Sequence, residues 1–379
     1  MAVGIIAEYN PFHNGHLYHL KKIKEKFPEE EIVLVMNGHY TQRGTVSIID
    51  KWKKVEIAKK AGINLIVELP FPFATQSADF FSYGAITILE KLKIEKFVFG
   101  SETEDIKTLT TIAKCQINNK EFDCLVKLYS KYGENYPTAI SKAIYDLTGE
   151  KVNAPNDLLG VSYIKVILAN KYKIKPIAIK RLNNYHDKNI STIASATAIR
   201  ENLLLNKDVT KAIPNFTNIH LKKENLHFIE QYFNLLKYKI ITEENLNQIA
   251  TVEEGIENLL KKTIYEVSSY QELIEELKSK RYTYNKITRM LLHILMGFTK
   301  EEAKNFREIT YIRILGFDKK GQKYLRKIKK NVEIPIISKF IRNNKMLELE
   351  LKATTIYAIP NNEKELIKKE YTNHLQNEK

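Results

Sequence analysis

Val3-Gly-Ile-Ile-Ala-Glu-Tyr-Asn-Pro-Phe-His-Asn-Gly-His16 gives an apolar run, then a polar turn, then the start of a helix near Asn14 and Gly15. A short run rich in isoleucine and valine, closed by such a turn, reads as a buried strand. A helix that follows a strand so closely offers unpaired backbone N–H groups and the positive end of its dipole, a ready phosphate site. Gly15 lets a ligand approach the backbone closely. His13 and His16 stand three residues apart, so both imidazoles can face one anion and donate to it as charge moves onto a leaving group. The plain alternative is a pair of surface histidines that cap a helix.

Working outward, apolar runs at 3–7, 32–36, 65–69, 97–99 and 176–179 alternate with helical patterns at 15–27, 50–61, 77–93, 103–116 and 158–170. That alternation predicts βαβ units and an α/β fold with a doubly wound, Rossmann-like parallel sheet. In such sheets ligands sit at the carboxyl ends of the strands, where the quoted turn falls. From residue 206 helical periodicity takes over, at 224–237, 243–248, 255–265, 270–279, 284–296 and 345–357, with short strands expected around 309–315 and 333–337. Met290 and the leucines beside it read as core. Two domains are expected: residues 1–205 for nucleotide chemistry, and residues 206–379, mostly helical and basic.

The 379 residues carry 60 Lys+Arg against 45 Asp+Glu, a net charge of +15. Such a field favours polyanionic partners. A lysine-rich proteome gives the same excess, and composition leaves both readings open. Distribution says more, because residues 280–330 hold 15 basic residues and four acids. Within them Lys319, Lys320, Lys323, Arg326, Lys327, Lys329 and Lys330 are interleaved with Tyr324 and follow Tyr311 and Phe317. A basic face with aromatics suits a phosphate backbone and unstacked bases, so these seven are the expected RNA contacts. A solvated helix face is the alternative. No apolar run reaches the roughly 18–20 residues of a membrane span. The N-terminus has no signal-peptide pattern, so a cytoplasmic protein is expected. Cys115 and Cys124 form no CxxC pair, so neither a disulfide framework nor a zinc site is expected, and no carboxylate cluster announces a metal.

A second phosphate element is Ile193-Ala-Ser-Ala-Thr-Ala-Ile-Arg200. At a helix start, Ser195 and Thr197 can bind phosphate oxygens and Arg200 can neutralise developing charge. An ordinary N-cap by Ser195 is the alternative. The segment resembles the ISSTxIR element of HxGH nucleotidylyltransferases, as the opening stretch resembles their HxGH motif. Ala194 and Ala196 depart from it where hydroxyl residues are usual.

Further stretches extend the likeness: Gln42-Arg-Gly44, Val67-Glu-Leu-Pro70, Phe99-Gly-Ser-Glu102, Pro155-Asn-Asp-Leu-Leu-Gly160, Lys180-Arg181, Tyr185-His-Asp187, Arg313-Ile-Leu-Gly-Phe317 and Lys320-Gly321. With the first two they resemble the bacterial tRNA(Met) cytidine acetate ligase family along nearly the whole chain. The resemblance implies ATP-dependent activation of acetate to acetyl-adenylate and pyrophosphate. It further implies acetyl transfer to the N4 amine of the wobble cytidine of elongator tRNA(Met). Its implied ATP-binding residues are Ile6, Ala7, Glu8, Tyr9, Asn10, Pro11, Phe12, His13, Asn14, Gly15, His16, Leu17, Tyr18, His19, Gly100, Asn156 and Arg181, to which Ser195 and Thr197 are added. His13, His16 and Arg200 are the expected catalytic groups. Gly100 is expected to make room for adenine or ribose. Asn156 could instead cap a helix, and Arg181 could form a surface ion pair. Arg43 and Lys51 are secondary candidates for phosphate or tRNA, and Glu8 is a guess for the base that serves the amine. Mg²⁺ is expected with the ATP, but no protein-only metal site and no protein partner. The rival readings are a metabolic nucleotidylyltransferase, which leaves the basic half idle, and a non-catalytic RNA binder.

Overall fold

In the computed structural model, which describes residues 1–182, 192–222 and 226–372, the five apolar runs form β1 (Ala2–Ile6), β2 (Glu31–Asn37), β3 (Leu65–Leu69), β4 (Lys96–Ser101) and β5 (Lys175–Lys180). All of β2 from Ile32 to Asn37 is buried. That continuous burial is what a parallel strand covered on both faces requires. The strand order is β5-β4-β1-β2-β3, all parallel. The chain runs outward from β1 to β3 and returns to β4 on the other side. Strand order therefore reverses between β1 and β4, and a crevice opens at their carboxyl ends.

The connections are α1 (Asn14–Lys26), α2 (Lys51–Lys60), α3 (Phe71–Ala74), α4 (Ala78–Lys91), α5 (Ile106–Cys115), α6 (Lys120–Lys131), α7 (Tyr136–Thr148) and α8 (Pro155–Ala169). Five of them match the periodic segments. The pair α6 and α7 occupies a stretch where periodicity predicted nothing, because each buries only a narrow stripe: Phe122 and Val126, then Ala139, Ala143 and Ile144. Their caps carry the signal instead. Asn119 and Asn135 accept backbone N–H bonds at the two starts, and Gly149, at φ +71°, ends α7.

After β5 come α9 (Ala196–Leu204), still within residues 1–205, and then in the second half α10 (Asn215–Asn218), α11 (Phe233–Thr242), α12 (Ile256–Thr263), α13 (Tyr270–Leu277), α14 (Tyr284–Met296), α15 (Lys300–Asn305), α16 (Lys319–Ile328), α17 (Lys345–Ala358) and α18 (Lys364–Thr372). Its two expected strands exist as β6 (Ile312–Phe317) and β7 (Ile336–Ile337). They belong to the same sheet, β6 antiparallel to β3 and β7 parallel to β6. The core is continuous across residue 206, from Val3 and Leu34 to Leu291 and Ile314.

A buried ring of charge fastens the halves. Lys51 Nζ lies 2.6 Å from Glu68 Oε1 and 2.7 Å from Glu370 Oε1. Arg313 closes the ring, with Nη1 at 3.0 Å from Glu68 Oε2 and Nη2 at 2.6 Å from Glu370 Oε2. Thus α2, β3, β6 and α18 meet at four side chains, each no more than 1% exposed. Burial alone would raise the Glu370 carboxyl, yet Lys51 and Arg313 hold it down to about 2.

The basic helix α16 lies on the amino edge of the sheet. The Asp318 N–H donates to the carbonyl of Asn64, just before β3, at 3.0 Å. The Tyr324 hydroxyl donates to the carbonyl of Leu92, just before β4, at 2.7 Å.

Candidate active site

The loop after β1 is built to aim α1. Buried Asn10 donates to the Val46 carbonyl at 3.3 Å and accepts from the Ile48 N–H at 2.8 Å, tying the loop to the segment after β2. Tyr9 sits at φ +48°, a conformation that costs a bulky residue about 1 kcal/mol or more and that its burial holds in place. His13 is the N-cap of α1, and its Nδ1 accepts from the Gly15 N–H at 3.1 Å. The His13 N–H in turn donates to His16 Nδ1 at 3.2 Å. Each ring thus uses Nδ1 as acceptor, which leaves a neutral imidazole with its proton on Nε2. The two rings stack at 3.7 Å.

Their charge state agrees. Burial pushes His13 down to about 3, helped by Arg181 and Arg200. His16 is held well below its ordinary value by burial, His13, Arg181 and His19. Burial and Arg181 bring His19 to about 4. The histidines cap the helix, as the plain alternative had it, but buried His13 and half-buried His16 also line the crevice.

Beside them stands α9. Ser195 is its N-cap, its Oγ accepting from the Ala198 N–H at 3.1 Å. Arg200 Nη1 donates to the Asn10 carbonyl at 2.7 Å and Nη2 to Thr197 Oγ1 at 3.1 Å, so the guanidinium bridges the β1 loop and α9.

At the third wall β4 meets α8 in a reciprocal clamp. Asp157, fully buried, accepts from the Ser101 hydroxyl, from the Glu102 N–H at 3.0 Å and from the Thr103 N–H at 3.1 Å. Glu102 accepts from Asn156 Nδ2 at 2.6 Å and from the Asp157 N–H at 3.1 Å. Ala154, not Asn156, is the N-cap of α8. Arg181 continues β5, and its Nε is buried without a hydrogen-bond partner. At Gly100 a Cβ would meet Arg181 Cγ at 3.2 Å, so this glycine first makes room for Arg181 rather than for a ligand.

Together these walls enclose a cleft of about 370 Å³ at the β1–β4 switch point, the size of a small-molecule site. Ile6, Ala7, Glu8, Tyr9, Asn10, His13, Gly15, His16, Tyr18, His19, Gly100, Asn156, Arg181, Ser195, Thr197 and Arg200 all line it. Pro11, Phe12, Asn14 and Leu17 are not among the lining residues. Pro11 and Phe12 are buried beneath the loop, and Leu17 faces solvent. Asn14 donates to the carbonyls of Thr192 (2.8 Å) and Lys211 (3.0 Å). Tyr185, His186 and Asp187 lie outside the described residues. Lys51 is corrected outright: its ammonium belongs to the buried ring and cannot reach a phosphate. The seven basic residues at 319–330 stand on the opposite edge of the sheet.

Sequence reasoning missed a fourth wall, Thr41, Gln42, Arg43 and Thr45, of which only Arg43 was a candidate. Gln42 donates its N–H to Glu8 Oε1 at 2.6 Å. Lys54 was missed as well. Fully buried, its Nζ donates to the carbonyls of Gly38 (2.7 Å), Asn37 (3.0 Å) and Glu8 (3.2 Å) and so fixes this wall to the β1 loop. Its spacing on α2 gave no hint, since a lysine on a helix is ordinarily solvated. Among the residues that line the cleft, Arg43, Lys180, Arg181 and Arg200 face one carboxylate, Glu8. That balance suits a polyanion. Among the described residues no group of three His, Cys, Asp or Glu could hold a metal ion, and no helix is long and apolar enough to cross a membrane.

Comparison with known proteins agrees with this geometry. The model of the HIGH Nucleotidyl Transferase family matches residues 1–372. A tRNA(Met) cytidine acetate ligase of Anoxybacillus flavithermus is 39% identical over 376 residues, 94% of each chain. That of Bacillus subtilis is 36% identical, over 95% of this chain and 92% of its own. The apo crystal structure of Thermotoga maritima TmcAL superposes with a TM-score of 0.91 at 30% identity, over 99% of both chains. The form of it bound with alpha-thio ATP superposes at 0.88, also at 30% identity, over 97% of this chain and 96% of that one. With its switch-point cleft, its paired imidazoles and relatives matched nearly end to end, the chain belongs to the tRNA(Met) cytidine acetate ligase family of HIGH nucleotidyl transferases.

Proposed function

We propose that this chain uses ATP to activate acetate and then acetylates the N4 amine of the wobble cytidine of elongator tRNA(Met). The carrying observation is the pair of neutral imidazoles, each with its proton on Nε2, lining one cleft with Arg200 and the start of α9. An acetate oxygen attacks the α-phosphorus in line, and the bond to pyrophosphate breaks. Charge then grows on the leaving phosphates, where His13 and His16 donate through Nε2 and Arg200 supplies a fixed positive charge. Neutral donors suit this step, because they need lose no proton as the charge develops. The N-terminal N–H groups of α9, with Thr197 and the Ser195 hydroxyl, bind the remaining phosphoryl oxygens. Asn156 and Arg181 hold the nucleoside and α-phosphate end. Mg²⁺ enters as the counter-ion of ATP, with no protein ligand set of its own.

In the second step the cytidine amine attacks the acetyl carbonyl, AMP departs, and the amine sheds a proton. Glu8, the one carboxylate of the lining, takes it. The target base must leave the anticodon loop to reach the cleft. Residues 206–379 supply the tRNA-facing surface. The run Lys319, Lys320, Lys323, Arg326, Lys327, Lys329 and Lys330 adds long-range attraction from the far edge. ATP, acetate and tRNA meet the enzyme in the cytoplasm.

The test is incubation with radiolabelled acetate, ATP and total bacterial tRNA, followed by digestion. Label in N4-acetylcytidine is the expected result. Pyrophosphate release with small phosphoesters but not with acetate would support a metabolic nucleotidylyltransferase instead.

A further inference from the structure

Between Lys278 and Lys300 the chain holds Lys278, Lys280, Arg281, Lys286, Arg289 and Lys300 and no acidic residue. Most of the charge precedes or opens α14. The apolar side of that helix, Ile287, Met290, Leu291 and Ile294, is core, while Lys278, Lys280, Arg281 and Tyr284 are exposed. The start of α14 is also pressed against the cleft. Thr288 Oγ1 donates to the carbonyl of Arg43, a lining residue, at 2.5 Å. Next to it Gly44, at φ +79°, packs so closely that a Cβ there would fall 2.3 Å from the Arg289 nitrogen. Tyr284 stands within electrostatic reach of Arg200.

Lys278 is the C-cap of α13 (Tyr270–Leu277), and Lys280 and Arg281 lie exposed in the turn between that helix and α14. A polyanionic partner at this surface gains affinity by counterion release. The other basic surface, on α16, is separated from the cleft by the depth of the sheet, roughly 20 Å for strands of this length. An anticodon loop cannot reach into the cleft and lie along α16 at the same place.

Resting on the function proposed above, we propose that the anticodon arm of the tRNA docks on the turn before α14 and the start of that helix. Lys278, Lys280 and Arg281 hold its phosphates, and the half-exposed ring of Tyr284 stacks on a base beside the extruded cytidine. The arm's negative charge complements the patch, and the patch adjoins the mouth through which the base must enter.

The experiment compares two triple variants in the full chain. One is Lys278→Ala, Lys280→Ala, Arg281→Ala; the other, on α16, is Lys323→Ala, Lys327→Ala, Lys330→Ala. For each, binding of total bacterial tRNA is measured over a range of salt, and acetate-dependent pyrophosphate release is measured without tRNA. The first triple should weaken tRNA binding about tenfold or more and lower the slope of log affinity against log salt by about three. Its pyrophosphate release should stay within about twofold of the parent, which also reports an intact fold. The α16 triple should bind within about threefold of the parent. Tyr284→Leu should slow acetyl transfer while leaving the salt slope unchanged. Loss of binding confined to the α16 triple, or a first triple that binds like the parent, overturns the docking surface. A parent chain that neither binds nor acetylates tRNA defeats the functional reading itself, a result the variants cannot mimic.

Discussion

His13 does two jobs with two nitrogens, and they can be separated. Its Nδ1 caps α1, while in the proposed reaction its Nε2–H is the donor offered to the leaving phosphates. An asparagine can put an amide oxygen near the Nδ1 position but reaches no further. His13→Asn should therefore keep the melting temperature within a degree or two and yet lower acetate-dependent pyrophosphate release by about 100-fold. His13→Ala should lose the same activity and a further 0.5–2 kcal/mol of stability, roughly the value of a cap. Equal stability in the two variants would remove the capping role. The pH profile gives a second test. Since His13 is held at about 3 and His19 at about 4, pyrophosphate release should show no inflection near pH 6.5 wherever the fold is intact. A rate that drops through pH 6.5 would mean that a solvated imidazole is involved.

At the scale of elements, what the sequence showed was local and what it hid was distant. The strand-then-helix grammar of the first 180 residues was legible because apolar runs and caps are set by neighbours a few positions apart. The HxGH turn and the start of α9 were legible for the same reason. Lys51, Lys54, Glu68, Arg313 and Glu370 were not, because nothing near a buried charge in sequence announces the partner that lets it be buried. Gln42-Arg-Gly44 could be seen as a motif, but its packing against α14 needed the fold. These buried partners bind elements together strongly. Lys51→Met would leave the carboxylates of Glu68 and Glu370 sharing only Arg313, and should cost about 3–5 kcal/mol in a chemical denaturation experiment. A cost below about 1 kcal/mol would show that the ring is not what joins α2 to α18.

For the molecule as a whole, acid should be a stronger stress than alkali. Burial keeps His13, His16, His19, His39 and His293 below their ordinary value in the fold, whereas the unfolded chain protonates all five near pH 6.5. The unfolded state therefore binds more protons as pH falls below 6.5, and stability drops by about 1.4 kcal/mol per pH unit for each net proton. Glu350 opposes them by one proton: burial first, then Glu68, raises it to about 8, so it is protonated in the fold before it is in the unfolded chain. The sum still favours unfolding in acid, and the melting temperature should fall by several degrees between pH 6.5 and 5. A flat or rising curve would contradict it. Expressing residues 1–205 alone should yield no folded protein, because β3 would lose β6 and Lys51 and Glu68 would keep only each other. The four-charge ring also has a history in time. A ribosome adding 5–20 residues per second makes Lys51 and Glu68 roughly 15–60 s before Glu370 leaves the peptidyl-transferase centre. For that interval the nascent chain carries a sheet edge without its neighbour and half a charge circuit.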